Sequence, residues 1–541
     1  MLHLAIKGEI NCLLTALRLN KRWAADGRFT DEISNLIEHP MTKTLKSLSK
    51  YLGKRHADID TVKVVSPFVA VICSAQTTGQ ITARALTSLH NFLLYGLNTA
   101  ASGRSDACMA LVAKGITNCR FEDTRKESDE SVLVKLLELI TLTLKCDSRL
   151  LLKEKDAYKM FLLCYRVGCR DKASELLRSN ADDTLARLIL SFFGSKQEFS
   201  IFPSRNQVLL VDTSSTINFR PAVLVMNFLC DLVCAPQEVR SSCILALSLI
   251  NIMLEVAANT LASCPMILSI LQRKLCKYLR GAPPVEDLTI LSLRLRVIFN
   301  LFNSMKKHLK LQLEQILIST HLHILGDLSS SPDQQEIALE SLLELSRESS
   351  ILLHLYVSYD ADLNCSNLFE DLFISLANSA TPLSRQPMNL LNYLAMDCVL
   401  EVVYFVSCRC FSSNQYELLP LSVDDAIICN GNPGYSLCNL GIEWLKTARD
   451  STAQMLQQRR RAKKRRSLAA DYFNAENKWM SKVESLRILP VNLSAKLVAQ
   501  FLHENPRLDK RRIGELLSKG PQDKYPFHAA VFTVPRLHVV T

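Results

Sequence analysis

Apolar positions recur along this chain at the three- and four-residue spacing of amphipathic helices. In "VLVKLLELITLTL", Val132, Leu133, Leu136, Leu137, Ile140 and Leu144 share one broad face, with Lys135 and Glu138 off it. The same rhythm returns in "LLLKEKDAYKMFLLCYRVG", "ASELLRSNADDTLARLILSFF", "LTILSLRLRVIFNLFNSM" and "QEIALESLLELSRES". Near the far end, "AQFLHENPRLDKRRIGELLSKG" reads as two helices joined by a turn. Phe501, Leu502, Leu508, Ile513, Leu516 and Leu517 face inward, and Pro506 ends the first helix. Paired helices without a strict repeat predict an all-α chain of the armadillo/HEAT-like α-solenoid type, with a C-terminal helical fragment.

Composition supports that reading. The 541 residues contain only 16 Gly and 18 Pro, each near 3%, against about 7% and 5% in ordinary proteins. A β-rich fold needs a turn signal about every 8–12 residues. From Ser241 to Leu271 a stretch with one charge, Glu255, is broken by Ser248, Asn251, Asn259 and Pro265. It reads as two buried helices with a turn rather than a membrane span. The 18 cysteines fall mostly within apolar helical runs, as at Cys230, Cys243 and Cys398. They read as packed thiols in a reducing cytosol, because Lys7 and Glu9 interrupt any signal sequence. The Cys408/Cys410 and Cys230/Cys234 pairs have no matching second pair, so no metal is expected. Phosphate-loop, dinucleotide, zinc-protease and nucleophile-elbow motifs are missing as well, so no catalytic residue and no cofactor is assigned.

Charge is concentrated in one place. Arg459, Arg460, Arg461, Lys463, Lys464, Arg465 and Arg466 put seven cations in eight positions; removing them from the formal net charge of +11 leaves +4. Three readings stand side by side: a solvated linker run, contact with anionic lipid, and a nuclear-import signal. No aromatic residue interleaves the run, which argues against a nucleic-acid platform. A second candidate is the corner "VSYDADLNCSNLFEDL". Carboxylates there can cap the following helix, and a Tyr can bury its ring while its hydroxyl finds a partner.

Three ordered stretches resemble the large Arf-activating exchange factors of the Golgi-specific brefeldin-A-resistance type. Gly8–Trp23, Thr77–Leu97 and Cys119–Ile140 resemble the dimerisation and cyclophilin-binding (DCB) domain. The corner resembles the box of the domain named for homology upstream of Sec7 (HUS), usually N-Y-D-C-D, with Ser358 for the Asn and Ala361 for the Cys. "ENPRLDKRRIGELLS", Glu504–Ser518, resembles the opening helices of the Sec7 domain, and "FNAENKWMSKV" keeps Phe473 and Asn474 of an upstream family motif. The implied organisation is a DCB-like domain over 1–191, a connector over 192–221 and a HUS-like domain over 222–412. A linker with the basic cluster follows over 413–489, then a Sec7 start over 490–524 and a divergent tail over 525–541.

The resemblance implies an Arf-type small GTPase partner, self-association through the N-terminal domain, and a cytoplasmic protein peripheral on Golgi or early secretory membranes. It implies interdomain docking through Tyr359, Asp360, Asp362, Asn367 and Phe369, and lipid contact through the seven cations. The family's exchange glutamate lies in an F-R-L-P-G-E-type loop that does not occur here, so the chain reads as a truncated product with its catalytic part missing. The alternative is a generic α-solenoid scaffold whose basic segment directs nuclear import.

Overall fold

The structure is a computed structural model. It describes residues 2–19, 40–52, 60–97, 105–122, 126–145, 153–170, 173–193, 219–235, 240–281, 287–327, 329–382, 387–411, 442–475, 479–485, 501–503, 505 and 507–518. The chain divides into two compact units, Met1–Tyr278 and Leu279–Thr541. Among the described residues the secondary structure is helical, apart from an isolated bridge between Thr78 and Glu122. The all-α expectation holds.

The first unit runs through α1 (Leu2–Leu19), α2 (Pro40–Tyr51), α3 (Thr61–Ile72), α4 (Gly79–Leu94), α5 (Ser105–Thr117), α6 (Lys126–Lys145), α7 (Glu154–Gly168), α8 (Glu175–Phe193), α9 (Phe219–Cys234), α10 (Arg240–Ala262) and α11 (Pro265–Ile270). Each helix lays its apolar stripe on near neighbours in the chain, as in α4 on α6, α7 on α8 and α9 on α10. The six apolar positions predicted for α6 are all buried, while Lys135 and Glu138 pair at 2.9 Å on its outer side. Phe68 meets Phe92 edge to face at 4.9 Å between α3 and α4. At the start of the chain, Glu9 accepts hydrogen bonds from Ser88 Oγ and Asn91 Nδ2, both at 2.7 Å, fixing α1 on α4.

Pro265 occupies the first turn of α11, as its missing N–H favours. Arg240–Ala257 is long and apolar enough to cross a membrane, and half of it is buried against protein.

The second unit holds α12 (Cys276–Gly281, which begins just before the division), α13 (Leu288–Met305), α14 (Lys310–Leu317), α15 (His323–Gly326), α16 (Pro332–Arg347), α17 (Ser349–Leu355), α18 (Leu368–Ala380), α19 (Leu390–Phe411), α20 (Ile442–Ala475), α21 (Trp479–Ser485) and α22 (Lys510–Ser518). Sequence-encoded caps set the starts. Asp287 accepts from Thr289 N at 3.0 Å, and Ser331 and Gln334 form a reciprocal capping box before α16. α16 lies against α13 and α19, and α18 lies against α19.

His321 sits fully buried in a π-turn (Ile318–Leu322) between α14 and α15. Thr320 commits its proton to Ile316 O at 2.7 Å, so His321 Nδ1 donates to Thr320 and Nε2 accepts from Ser341 Oγ at 3.0 Å. Burial pushes this imidazole down to about 4. The unfolded ring takes up a proton near its ordinary value of about 6.5, and the folded ring does so only at the lower value. Stability of the second unit therefore falls as pH drops through that window. Urea midpoints of wild type should fall between about pH 7 and pH 5, with a smaller fall in His321→Gln.

Candidate functional site: the corner at Tyr359–Asp362 and the basic helix

α17 ends in a π-turn, Tyr356–Asp360, closed by Ala361 N donating to Tyr356 O at 3.0 Å. The wider turn places Tyr359 and Asp360 inward on consecutive positions, and both are fully buried. Tyr359 donates its hydroxyl to Lys310 O at 2.9 Å, and its ring meets His354 edge to face at 5.9 Å. Asp360 reaches across the turn to α18, accepting from Phe369 N at 2.8 Å and Glu370 N at 3.1 Å. It is the acceptor for the first turn of that helix, because Asn367, at the N-cap position, turns its amide to Glu370 Oε2 instead. Burial pushes the Asp360 carboxyl up, against the two backbone N–H groups and the charges of Lys463 and Arg460.

Asp362 is ion-paired with Lys310 and accepts from Asn364 N at 3.0 Å. Burial pulls its pKa up, but Asn364 and Lys310 outweigh it and hold the group below the usual carboxylate range. Phe369 packs edge to face on Tyr356 at 6.0 Å.

The basic run lies on this corner. It sits on α20 of the same unit, and its side chains divide by face. Lys463 is buried, donating to Tyr359 O at 2.7 Å and Ser366 O at 3.0 Å. Burial pulls its ammonium below the ordinary lysine range, opposed by Asp360, Cys365 and Asp362 and reinforced by Arg507. Arg460 lies 3.4 Å from Glu370 Oε2 and over the Tyr356 ring at 5.3 Å. Lys464 lies 3.4 Å from Glu370 Oε1. These two cations hold Glu370 below its usual range against the upward pull of burial. Arg461 and Arg465 face solvent, and Arg459 and Arg466 are half-buried.

Sequence reasoning treated the corner and the run as separate features; the fold brings them together. It also passed over Lys310 and Glu314 on α14. Glu314 is buried and accepts Ser366 N at 2.6 Å and Ser366 Oγ at 2.7 Å. The available signal was a charged residue next to the apolar positions of "KLQLEQIL".

Beyond the run, α20 buries Ala469, Ala470 and Phe473 with Trp479, Val483, Phe501, Leu502 and Leu508. Trp479 meets Phe473 edge to face at 5.0 Å and stacks on Phe501 at 6.1 Å. Asn474 closes this cluster, donating to Arg507 O and accepting from Asp509 N, both at 2.8 Å. The inward positions predicted for the terminal helices follow: Phe501, Leu502 and Leu508 are buried, and Ile513 and Leu516 pack against them. Pro506, the side chain of Leu517 and the tail from 519 lie outside the described residues. Among the described residues no cluster of three or more His, Cys, Asp or Glu is placed to hold a metal.

Two family models match the chain. One, described as the Mon2/Sec7/BIG1-like HUS domain, covers residues 219–368; the other, the Sec7 domain, covers 462–532. The GNOM Arf guanine-nucleotide exchange factor of Arabidopsis thaliana is 26% identical over 96% of this chain and 41% of its own length. The Golgi-specific brefeldin A-resistance guanine nucleotide exchange factor 1 homolog of Caenorhabditis elegans is 22% identical, covering 75% of this chain and 28% of the relative. The human brefeldin A-inhibited guanine nucleotide-exchange protein 1 is 25% identical over 57% of this chain and 18% of its own length.

The chain is similar to the large Arf exchange factors in both matched domains. It spans well under half the length of these relatives. The HUS match contains Tyr359–Asp362 and ends at Leu368, just before Phe369 and Glu370, and the Sec7 match opens inside the basic run at Ala462. The contact at Lys463 thus joins residues of the two matched domains.

Proposed function

We propose that this chain acts as the regulatory and targeting N-terminal portion of an Arf guanine-nucleotide exchange factor, with the HUS corner as a clamp on the lead-in helix of the Sec7 domain. The observation that carries this reading is the buried Lys463 ammonium. It lies within the Sec7 match and donates to the carbonyls of Tyr359 and Ser366 within the HUS match. A cation held by main-chain carbonyls fixes position more than chemistry, and a clamp of that kind sets where an exchange domain begins. No F-R-L-P-G-E-type loop occurs in the 541 residues, so the contribution assigned to them is positioning and targeting rather than the exchange step.

The partner of the full assembly is an Arf-type small GTPase, and the setting is Golgi vesicle transport, with the chain cytoplasmic and peripheral on Golgi or early secretory membranes. The worm relative's name favours the brefeldin-A-resistance type. Self-association runs through the N-terminal DCB-like part. Membrane recruitment uses the cations that the clamp leaves outward, Arg461 and Arg465, each contributing about 1 kcal/mol near an anionic surface.

Localisation separates this reading from a scaffold with a nuclear-import segment. A fluorescent fusion of the chain is expected on perinuclear membranes, with staining weakened when Arg461 and Arg465 are both changed to Gln. Nuclear accumulation that disappears with the same changes favours the scaffold.

A further inference from the structure

Beside the clamp lies a cleft of about 180 Å³, bordered by the 363–366 loop, α20 and the turn before α22. Its lining carries three cations, Lys463, Arg466 and Arg507, and no carboxylate. The hydroxyl of Ser467 opens into the same cleft and already accepts a hydrogen bond from the Arg507 guanidinium. Three positive groups from two segments gather around one hydroxyl, and Asp371 is the carboxylate whose charge reaches Lys463 and Arg507.

We propose that Ser467 is a phosphorylation site and that Lys463, Arg466 and Arg507 receive its phosphoryl group within the chain. The inference goes beyond the clamp reading and does not depend on exchange activity. The sequence around Ser467 supports it independently. Arg465 and Lys464 stand two and three residues before the hydroxyl, and Leu468 follows it. Protein kinases with acidic substrate grooves select basic side chains at those positions, reading charge pattern rather than fold.

Access for such a kinase requires α20 to open locally. Repulsion within the run favours such opening against the clamp, because Arg459 with Lys463, Arg460 with Lys464, and Arg461 with Arg465 are like-charged pairs at i,i+4 spacing. In the transfer, Ser467 Oγ attacks the γ-phosphorus of ATP and the bond to the β–γ bridging oxygen breaks. ADP departs, and the hydroxyl proton passes to the kinase's base. The product gains about −1.5 to −2 charge and three strong acceptor oxygens, matched to the guanidinium forks of Arg466 and Arg507. Modification then adds a cross-link between α20 and the segment leading into α22, closing the junction once it has re-formed.

The test uses the whole 541-residue chain with MgATP and the catalytic subunit of cyclic-AMP-dependent protein kinase, followed by peptide mapping. Phosphate is expected on Ser467 and absent from Ser467→Ala. Phosphorus NMR of the modified chain should show the second phosphate ionisation below its ordinary value of about 6, moving back toward it in Arg507→Ala. Arg507 is exposed, so that variant keeps the fold. Two results overturn the proposal: a free peptide of residues 459–472 is phosphorylated while the folded chain is not, or the phosphate in the chain titrates as it does in that peptide. Either leaves the clamp reading standing, since that is judged by the stability and amide exchange of Lys463→Met.

Discussion

Replacing Tyr359 with Ala is expected to lower the stability of the second unit by about 3–5 kcal/mol, the range for deleting a large aromatic from a core. Tyr359 is among the largest fully buried side chains of the chain. Its side chain ties α17 to α14: it meets His354 edge to face, donates its hydroxyl to Lys310 O, and lies 5.9 Å under the Lys310 ammonium. The cavity left by Ala is walled by helix ends that the Asp360 and Glu314 hydrogen bonds hold apart, so it collapses little. Tyr359→Phe separates shape from polarity. It keeps the ring and orphans one carbonyl acceptor, for about 1 kcal/mol. Urea denaturation should show the midpoint falling sharply for Ala and slightly for Phe, with an unchanged slope. Equal effects of the two variants would mean that the hydroxyl, not the ring, organises the corner.

Much of the corner could be read in advance because its logic is local. An Asp before a helix is a cue that acts within about ten residues, and the hydrogen bonds of Asp360 to Phe369 N and Glu370 N follow it. A Tyr ending an apolar run foretells a buried ring with a partnered hydroxyl, but not that the partner is Lys310 O, 49 residues upstream. The docking of the basic run has no such cue. Its strongest partners are the carbonyls of Tyr359 and Ser366, about a hundred residues upstream, and a main-chain carbonyl leaves no mark in a sequence. What shows from the residues alone is a charge run, and a charge run alone reads as solvated.

α19 failed to announce itself for a different reason. "LLNYLAMDCVLEVVYFVSC" is apolar on every side, the pattern of a buried helix. α16 and α18 cover one side, where Ala395 and Cys398 are fully buried. Tyr393, Leu400, Val403 and Tyr404 stay exposed, and the Leu390–Cys408 stretch is only 17% buried. Periodicity locates a core face only when the other face is polar.

Lys463→Met isolates the clamp. Met fills much of the space of the lysine stem but donates nothing, so the carbonyls of Tyr359 and Ser366 lose a charged donor and Asp360 loses a neighbouring cation. Each hydrogen bond to a charged group contributes about 1.5–3 kcal/mol, Lys463 makes two, and the desolvation that depresses its pKa offsets part of that sum, so a net loss of about 2–3 kcal/mol is expected. Because the contact joins α20 to the corner, the loss should appear first as faster amide exchange over residues 459–475, with α16 and α19 little changed. Arg461→Ala and Arg465→Ala, whose side chains face solvent on the same helix, should alter stability by no more than about 0.5 kcal/mol. The contrast is the informative part. If all three variants behaved alike, the run would be acting through net charge, whereas dependence on Lys463 alone identifies one buried ammonium as the link between the HUS corner and the helix that leads into the Sec7 domain.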